Sequence, residues 1–471
     1  MFGYLNKREE VVEPETYLRD TNGNPVYAGN VDFQGRRVNV FFQGADKTFL
    51  EDFHYGLTLN GRIGDAWRLT TTGSFYDLTG TRPRSGNVDA AGSAPATGMV
   101  TRQDGTGWFT YDIKIAHESE DRPLWLGQRS IFGYHFDNYF RREVTHNAAD
   151  WRREILTTIN TISAGKTMTH ALFLENTWLF ADDQWELTLG GRQEFWKAYD
   201  GFLLRGDNRG RFDSRTDEYF SPKASLAWFP TKDWEARFST GLAKRFPMVD
   251  ELFLANFDNF GRFDPDTFDP NLKPEKSFSR NLSVIRGFEK GRIIASIFNE
   301  DIDDSILRQP NAFSGVTHYQ NVDKVRNWGG ELAFESHRLF LEDLSFYANI
   351  SYVDAKIVRN SGFPETKGNR MPQIPKWRVN SFLTYHVTEQ FDWSFGMRYA
   401  SDMFHQLDNA DGGRGGMGFT DSYLVFDTKL AYKIGKGFSA SFGVDNLTGE
   451  TYYISHPYPG RTYLFDLNWK L

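Results

Sequence analysis

Two loop-like segments concentrate the side chains suited to holding a solute. FLANFDNFGRF (253–263) sets four phenylalanines and one arginine in eleven residues, and YYISHPYPGR (452–461) adds three tyrosines, His456 and Arg461. Flat rings with a few cations fit an anionic, aryl-rich molecule, through stacking and charge-assisted hydrogen bonds. Phe253, Phe257, Phe260, Arg262, Tyr452, His456 and Arg461 are therefore the candidate ligand contacts. Packing of the loop base is the competing role for each aromatic. The overlapping run GRFDPDTFDPN places Asp264, Asp266 and Asp269 in one loop, a calcium candidate by carboxylate count. It lacks the spacing and the glycine of a calcium loop, and Pro265 and Pro270 break it, so a solvated acidic loop is the favoured reading.

Other chemistry is excluded more firmly. The 10 histidines show neither the i, i+4 spacing nor the glutamate partner of a zinc site. With no cysteine, thiol catalysis, thiolate metal sites and disulfides are ruled out. GRGGMG (413–418) does not lead from a strand into a helix, as a phosphate cradle would. No nucleophile, base and orienter are spaced to imply catalysis. The chain reads as a non-enzyme with no catalytic residue, no metal beyond the weak calcium candidate, and no cofactor. A net charge of −8, from 54 basic and 62 acidic residues, leaves no cationic excess for nucleic acid.

The elements that must position these segments are strands. At the C-terminus, Tyr463, Phe465, Leu467, Trp469 and Leu471 share one parity, while Asp466, Asn468 and Lys470 share the other. The same alternation recurs at Phe438–Val444, Phe391–Tyr399, Leu344–Tyr352, Trp234–Leu242, Trp185–Leu189 and Trp67–Phe75. Period-two patterning marks strands with one apolar and one polar face. Aromatics reach 16% at a mean hydropathy of −0.55; tryptophan and tyrosine in such numbers suit a membrane interface. No run approaches the roughly 18 apolar residues of a membrane-spanning helix, so any crossing must be made by a closed barrel.

Connection lengths alternate as well. Short polar turns fall at 63–66, 181–184, 229–234, 289–292, 341–344, 388–391 and 434–437. Long segments separate them at 78–104, 141–166, 199–215, 244–273, 305–320, 356–374, 402–420 and 446–460. The expected fold is all-β: a transmembrane antiparallel barrel of about 18 strands, with short periplasmic turns and long extracellular loops. Residues 36–471 should form the barrel and 1–35 an irregular N-terminal remnant. A large soluble all-β protein is the alternative, disfavoured by strand length and the lack of a fixed repeat. MFGYLNKREE lacks the apolar core of a signal peptide.

KRFPMVDELFLAN (244–256), NLKPEKS (271–277), VRNWGGELAFE (325–335), MPQIPKWRVN (371–380) and GVDNLTGETYYISHPYPGRTYLFDLNWKL (443–471) together resemble the barrel of a TonB-dependent outer-membrane receptor, from about residue 50 onward. The prolines at 247, 372 and 375 sit at loop–strand junctions. Gly329 and Gly330 allow a bulge or a close approach in the wall, and Gly460 a turn into the last strand. The resemblance implies a Gram-negative outer-membrane location and uptake of a scarce nutrient, in most such receptors a ferric siderophore. It implies outer-membrane lipid and lipopolysaccharide as surroundings, and the energy-coupling protein TonB as partner through an N-terminal plug. No plug is recognised in 1–39, and a barrel of about 22 strands is usual, so the expectation is an incomplete C-terminal portion. The alternatives are a plugless passive porin and, further off, a barrel enzyme or adhesin.

Overall fold

The computed structural model describes residues 2–16, 19–33, 36–41, 44–89, 92–118, 128–253, 269, 271–310, 317–337, 341–416 and 418–470. Its framework is one 20-stranded antiparallel sheet. Two members, Gly98–Arg102 and Asn208–Phe212, are 5 residues each and pair only with the outer ends of longer neighbours. Setting those two aside leaves 18 wall strands, one of them Phe2–Val12, which lies before the stretch in which the alternation predicts about 18. Each pairs with the next along the chain, from Phe2–Val12 against Asp46–Ile63 to Phe438–Asp445 against Thr462–Trp469. The helical elements described are Val249–Phe253 and the 3-10 turn Pro364–Thr366; no described helix is long and apolar enough to cross a membrane.

The N-terminus differs from the expected irregular remnant. Phe2–Val12 is a wall strand, in register with Asp46–Gly56, whereas Arg36–Phe41 pairs with Ala28–Phe33 in a separate hairpin. Alternation conceals the first strand because Lys7, Arg8, Glu9 and Glu10 put charge on both faces. Cross-strand pairs Lys7–Glu51 (2.8 Å) and Glu9–Lys47 (2.9 Å) stand where apolar contacts stand elsewhere. The edges also differ from a fully paired wall. Among the described residues no register joins Phe2–Val12 to Thr462–Trp469, and both strands are exposed on both faces.

Side-chain parity separates an apolar exterior from a polar lumen. Leu57, Leu59, Leu189, Leu226, Ile297, Leu332, Trp393 and Phe465 all point outward and are exposed. Phe395 shares the parity of Trp393 and stacks on Phe426, 5.7 Å between centroids. The lumen carries charges that satisfy one another: Arg237 between Glu235 (2.7 Å) and Glu186 (2.9 Å), Arg192 with Glu194 (2.9 Å), and Arg398 with Asp427 (2.7 Å). His135 lies between Asp112 (2.7 Å) and Asp137 (3.1 Å). Placing those groups against acyl chains would cost about 2–4 kcal/mol per cation at mid-membrane, so parity alone fixes which face is inside.

One rim is built of tight turns bordered by aromatics: Trp185 stacks on Trp228 (5.8 Å) and Phe438 on Trp469 (5.6 Å). The turn at 434–437 needs left-handed backbone at Gly435 and Gly437, and a Cβ on Gly437 would meet the Lys470 carbonyl at 2.1 Å. At the opposite, extracellular rim, several expected loops prove to be strand. Arg129–Asp150 and Ile155–Phe180 run through most of 141–166, leaving a turn at 151–154. The latter strand has 26 residues, against the roughly ten that cross a bilayer. In the wall, Gly329 makes the close approach expected of it, since a Cβ there would lie 2.1 Å from the Tyr352 carbonyl. The bulge falls instead at Lys324–Val325. Gly460 is not in the left-handed region, so it enters the last strand without the special turn expected.

Apolar burial gathers at the extracellular rim. One cluster is Trp196, Ala198, Leu252, Phe253, Leu272 and Ile306; a second is Val322, Val325, Ala355, Ile357, Met371 and Leu407; a third is Ala45, Val100, Ala148 and Trp151. Each pins an extracellular segment to the strands beneath it.

Candidate functional site

A cavity of about 760 Å³ opens on the lumen side of the extracellular half. Its walls come from the outer ends of successive strands: Glu10, Thr48 and Leu50, then Thr81, Arg82 and Arg84, then Met99, Thr101, Gln103, Glu143, Thr145, Asn160, Thr161 and Arg205. These strands overrun the membrane, so their lumen-facing parity must be polar enough to meet water.

Neighbouring groups orient the polar lining. Buried Asp46 accepts from Arg82 Nε at 2.9 Å, which holds that guanidinium at the cavity edge. Gln103 donates to Glu143 at 3.0 Å, Thr101 and Thr145 hydroxyls meet at 3.0 Å, and Asn160 donates to Asn147 at 2.8 Å. The lining sets Arg82, Arg84 and Arg205 among Glu10, Glu143 and the Asp46 that holds Arg82, so its forks and hydroxyls suit an oxygen-rich solute of moderate size. It offers hydrogen bonds and charge rather than a reactive nucleophile.

Glu143 links the cavity to the short helix Val249–Phe253. Arg141, only 11% exposed, bonds Glu143 at 3.1 Å and Asp250 at 2.6 Å. On the same helix Glu251 is buried, accepts both bonds of Arg245 at 3.0 Å, and takes the Met248 N–H at 2.8 Å. Arg245 Nε also reaches Glu275 at 2.6 Å, and Glu275 accepts the Ile306 N–H at 2.6 Å. This network fastens the segment after Trp234–Arg245 against the inner faces of the strands running through Arg141, Ser163 and Trp196.

The expected ligand contacts divide sharply. Phe253 is 4% exposed and wedged over Gly165 and Gly201, where a Cβ would meet its ring at 2.1 and 2.3 Å; it anchors the loop. Tyr452 is 3% exposed, stacked between Tyr423 (4.5 Å) and Tyr458 (4.9 Å), and burial pushes its phenol pKa well up. His456 and Arg461 are exposed beside that stack. Phe257, Phe260 and Arg262 lie outside the described residues, as do Asp264 and Asp266. Asp269 accepts the Asn271 N–H at 2.8 Å, a turn-capping role. No group of three or more metal-ligating side chains occurs among the described residues.

Sequence reasoning missed the cavity because its arginines are dispersed over strands and form no motif. It also missed Arg141, whose two carboxylate partners lie 2 and 109 residues away in the chain. One constellation resembles a hydrolytic relay: Ser345 Oγ lies 3.2 Å from His386 Nε2, and His386 Nδ1 lies 2.7 Å from Asp392. It stands at the tight-turn rim, beside the Thr384–Ser394 hydroxyl pair (3.0 Å), as one step of the polar ladder lining the lumen.

A family model described as TonB-dependent receptor-like β-barrel matches residues 3–447. The probable TonB-dependent receptor BfrD of Bordetella pertussis is 25% identical over 282 residues, covering 58% of this chain and 36% of that protein. The probable TonB-dependent siderophore receptor PiuA of Acinetobacter baumannii is 23% identical over 310 residues, covering 61% and 38%. Among solved structures, the unliganded ferric citrate transporter FecA superposes with a TM-score of 0.69 at 15% identity, over 90% of this chain and 62% of that one. The chain thus spans well under half the length of these two sequence relatives.

Proposed function

The chain belongs to the TonB-dependent receptor-like β-barrel family, proteins of the outer membrane that are receptors and not enzymes, and from that premise we propose that it forms the wall and solute-binding mouth of an uptake receptor for an iron chelate, a ferric siderophore in particular. The observation that carries this reading is the lumen cavity, where Arg82, Arg84 and Arg205 line one space with the hydrogen-bonding side chains of Thr101, Gln103, Thr145 and Asn160. Ferric chelates present carboxylate, catecholate or hydroxamate oxygens around a compact centre, and arginine forks match such oxygens. The helix carrying Asp250 and Glu251 is tied to one wall of the cavity through Arg141, so a solute seated there acts on a loop as well as on the barrel. Energy for uptake is assigned to TonB, which appears in the names of the related receptors.

The experiment is uptake of radiolabelled ferric siderophores by iron-starved cells lacking the gene, complemented with the intact gene or with Arg82→Gln plus Arg84→Gln, each in the presence and absence of TonB. Saturable, TonB-dependent uptake that the double variant weakens roughly tenfold, about 1.4 kcal/mol, is expected. Non-saturable entry of neutral and anionic solutes alike, independent of TonB, would establish a passive pore instead.

A further inference from the structure

Outside the barrel, strand registers stack four rows of outward side chains at one place in the wall. The lowest is apolar and aromatic: Leu282, Ile297, Gly330, Tyr352 and Trp377 are mutual register partners, and Tyr352 packs against Trp328 (5.5 Å) and Trp377 (4.7 Å). The next row is Arg280, Asn299, Trp328 and Asp354; above it stand Phe278, Asp301, Arg326 and Lys356, and then Lys276, Asp303 and Lys324. Strand rise is about 3.3 Å per residue and same-face rows are two residues apart. The four rows span three such steps, so the exterior changes from bilayer-like to fully charged within roughly 20 Å, moving toward the extracellular rim.

The charges within this step are layered. Asp301 is 15% exposed and accepts from Arg280 (2.8 Å) and Arg326 (2.8 Å), with Lys324 at 3.9 Å. Asp354 is 10% exposed and accepts from Lys356 (2.8 Å) and Trp328 Nε1 (3.2 Å). The cations stand farther out, Arg326 at 49% and Lys356 at 47%. Asp303 lies 3.6 Å from Lys324, so Asp301, Asp303 and Asp354 stand against Arg280, Lys324, Arg326, Lys356 and the register neighbour Lys276, a surplus of two cations. Arg280 also lies over the Phe278 ring at 4.4 Å, which holds its guanidinium flat against the wall. An exterior that only met water would not need a positive surplus immediately above an aromatic belt. That depth is where headgroups of the outer leaflet lie.

We propose that Arg280, Lys324, Arg326 and Lys356 form a binding site for the phosphate-bearing headgroup of an outer-leaflet glycolipid, with Tyr352, Trp328 and Trp377 packing against its acyl chains. The site rests on the outer-membrane location and is independent of what the lumen carries. Guanidinium and ammonium groups already positioned by carboxylates lose little side-chain freedom on meeting a phosphate, and the belt below sets the lipid's depth.

The test uses the full chain purified in a zwitterionic detergent and titrated, by native mass spectrometry, with lipopolysaccharide of intact phosphates and with the same lipid dephosphorylated. At least tenfold tighter binding of the phosphorylated form is expected, with the preference abolished by Arg326→Gln plus Lys356→Gln. Heat-modifiable mobility in gels checks that the variant barrel is folded; if it is not, the wild-type comparison of the two lipids decides alone. Equal binding of both lipids by the wild type, or a full preference in the folded variant, overturns the site. Displacement of the lipid by equimolar inorganic phosphate would also overturn it, as it would show a site for free anion.

Discussion

Arg141 and Asp250 meet at 2.6 Å although 109 residues separate them, and through this contact a wall strand holds a helix inside the mouth of the barrel. Arg141 is 11% exposed and Asp250 53%, so the pair is half-screened and its removal leaves a buried cation whose remaining carboxylate partner among the described residues is Glu143 at 3.1 Å. Asp250→Asn should therefore loosen the Val249–Phe253 segment by about 1–2 kcal/mol, the scale of a partly exposed pair that leaves a charge behind. Limited proteolysis within 244–273 should accelerate roughly 5- to 30-fold. An unchanged cleavage rate would mean that Phe253 and Leu252 anchor the helix unaided.

The wall offers a direct contrast between neighbours. Phe395 shares the lipid-facing parity of Trp393, while Ser394 faces the lumen, where Thr384 Oγ1 lies 3.0 Å away. Phe395→Arg should destabilise the barrel by about 2–4 kcal/mol near mid-membrane, and Ser394→Arg by far less. Reversible unfolding in lipid vesicles measures both, and equal losses would invalidate the assignment of faces.

What the sequence made legible follows from where each face points. Strands such as Phe391–Ala400 and Phe438–Asp445 have lipid on one side and polar lumen on the other, so their alternation survives in the letters. Where a strand overruns the membrane, water lies on both sides and the period vanishes. That is why 141–166 read as loop although Val144 and Ile162 are register partners there. Phe2–Val12 escaped for the same reason, with ion pairs replacing apolar contacts. Among the candidate contacts, composition located two loops, but it could not tell a ring that faces solute from one that packs. Phe253 and Tyr452 belong to the second kind. The cavity arginines Arg82 and Arg205 come together only through strand register.

Tyr452 gives a pH-dependent consequence. Its buried phenol, close to Tyr458 and Tyr423, has its pKa raised above the ordinary tyrosine value. A folded-state pKa above the unfolded one contributes stability that is complete below the unfolded value, about 10, and is lost as pH rises through the folded value. The 446–460 loop should thus hold at neutral pH and release only in strong alkali, well above the ordinary tyrosine value. Ultraviolet titration at the phenolate band should show a late-ionising residue that Tyr452→Phe removes. Ionisation of Tyr452 together with the exposed tyrosines would contradict its burial.

The two edge strands support the sharpest prediction about the wall. Thr462–Trp469 pairs along its whole length with Phe438–Asp445, and Phe2–Val12 along its whole length with Asp46–Gly56, yet no register joins the two edges among the described residues. In an antiparallel strand with one neighbour, every second amide donates inward and the others face the open edge. An unpaired amide in hydrocarbon costs several kcal/mol, so an open edge must draw in water or bend away from lipid. Hydrogen exchange of the reconstituted chain, read residue by residue, should show alternating protection along 463–469 and along 3–11, with uniform protection in central strands such as Glu275–Phe288. Uniform protection in both edge strands would mean that the seam closes in a bilayer, by pairing these strands with each other or with another chain. Cross-linking of cysteines placed at Leu5 and Leu467 would then separate the two cases, since an intramolecular bond requires that the edges of one chain meet.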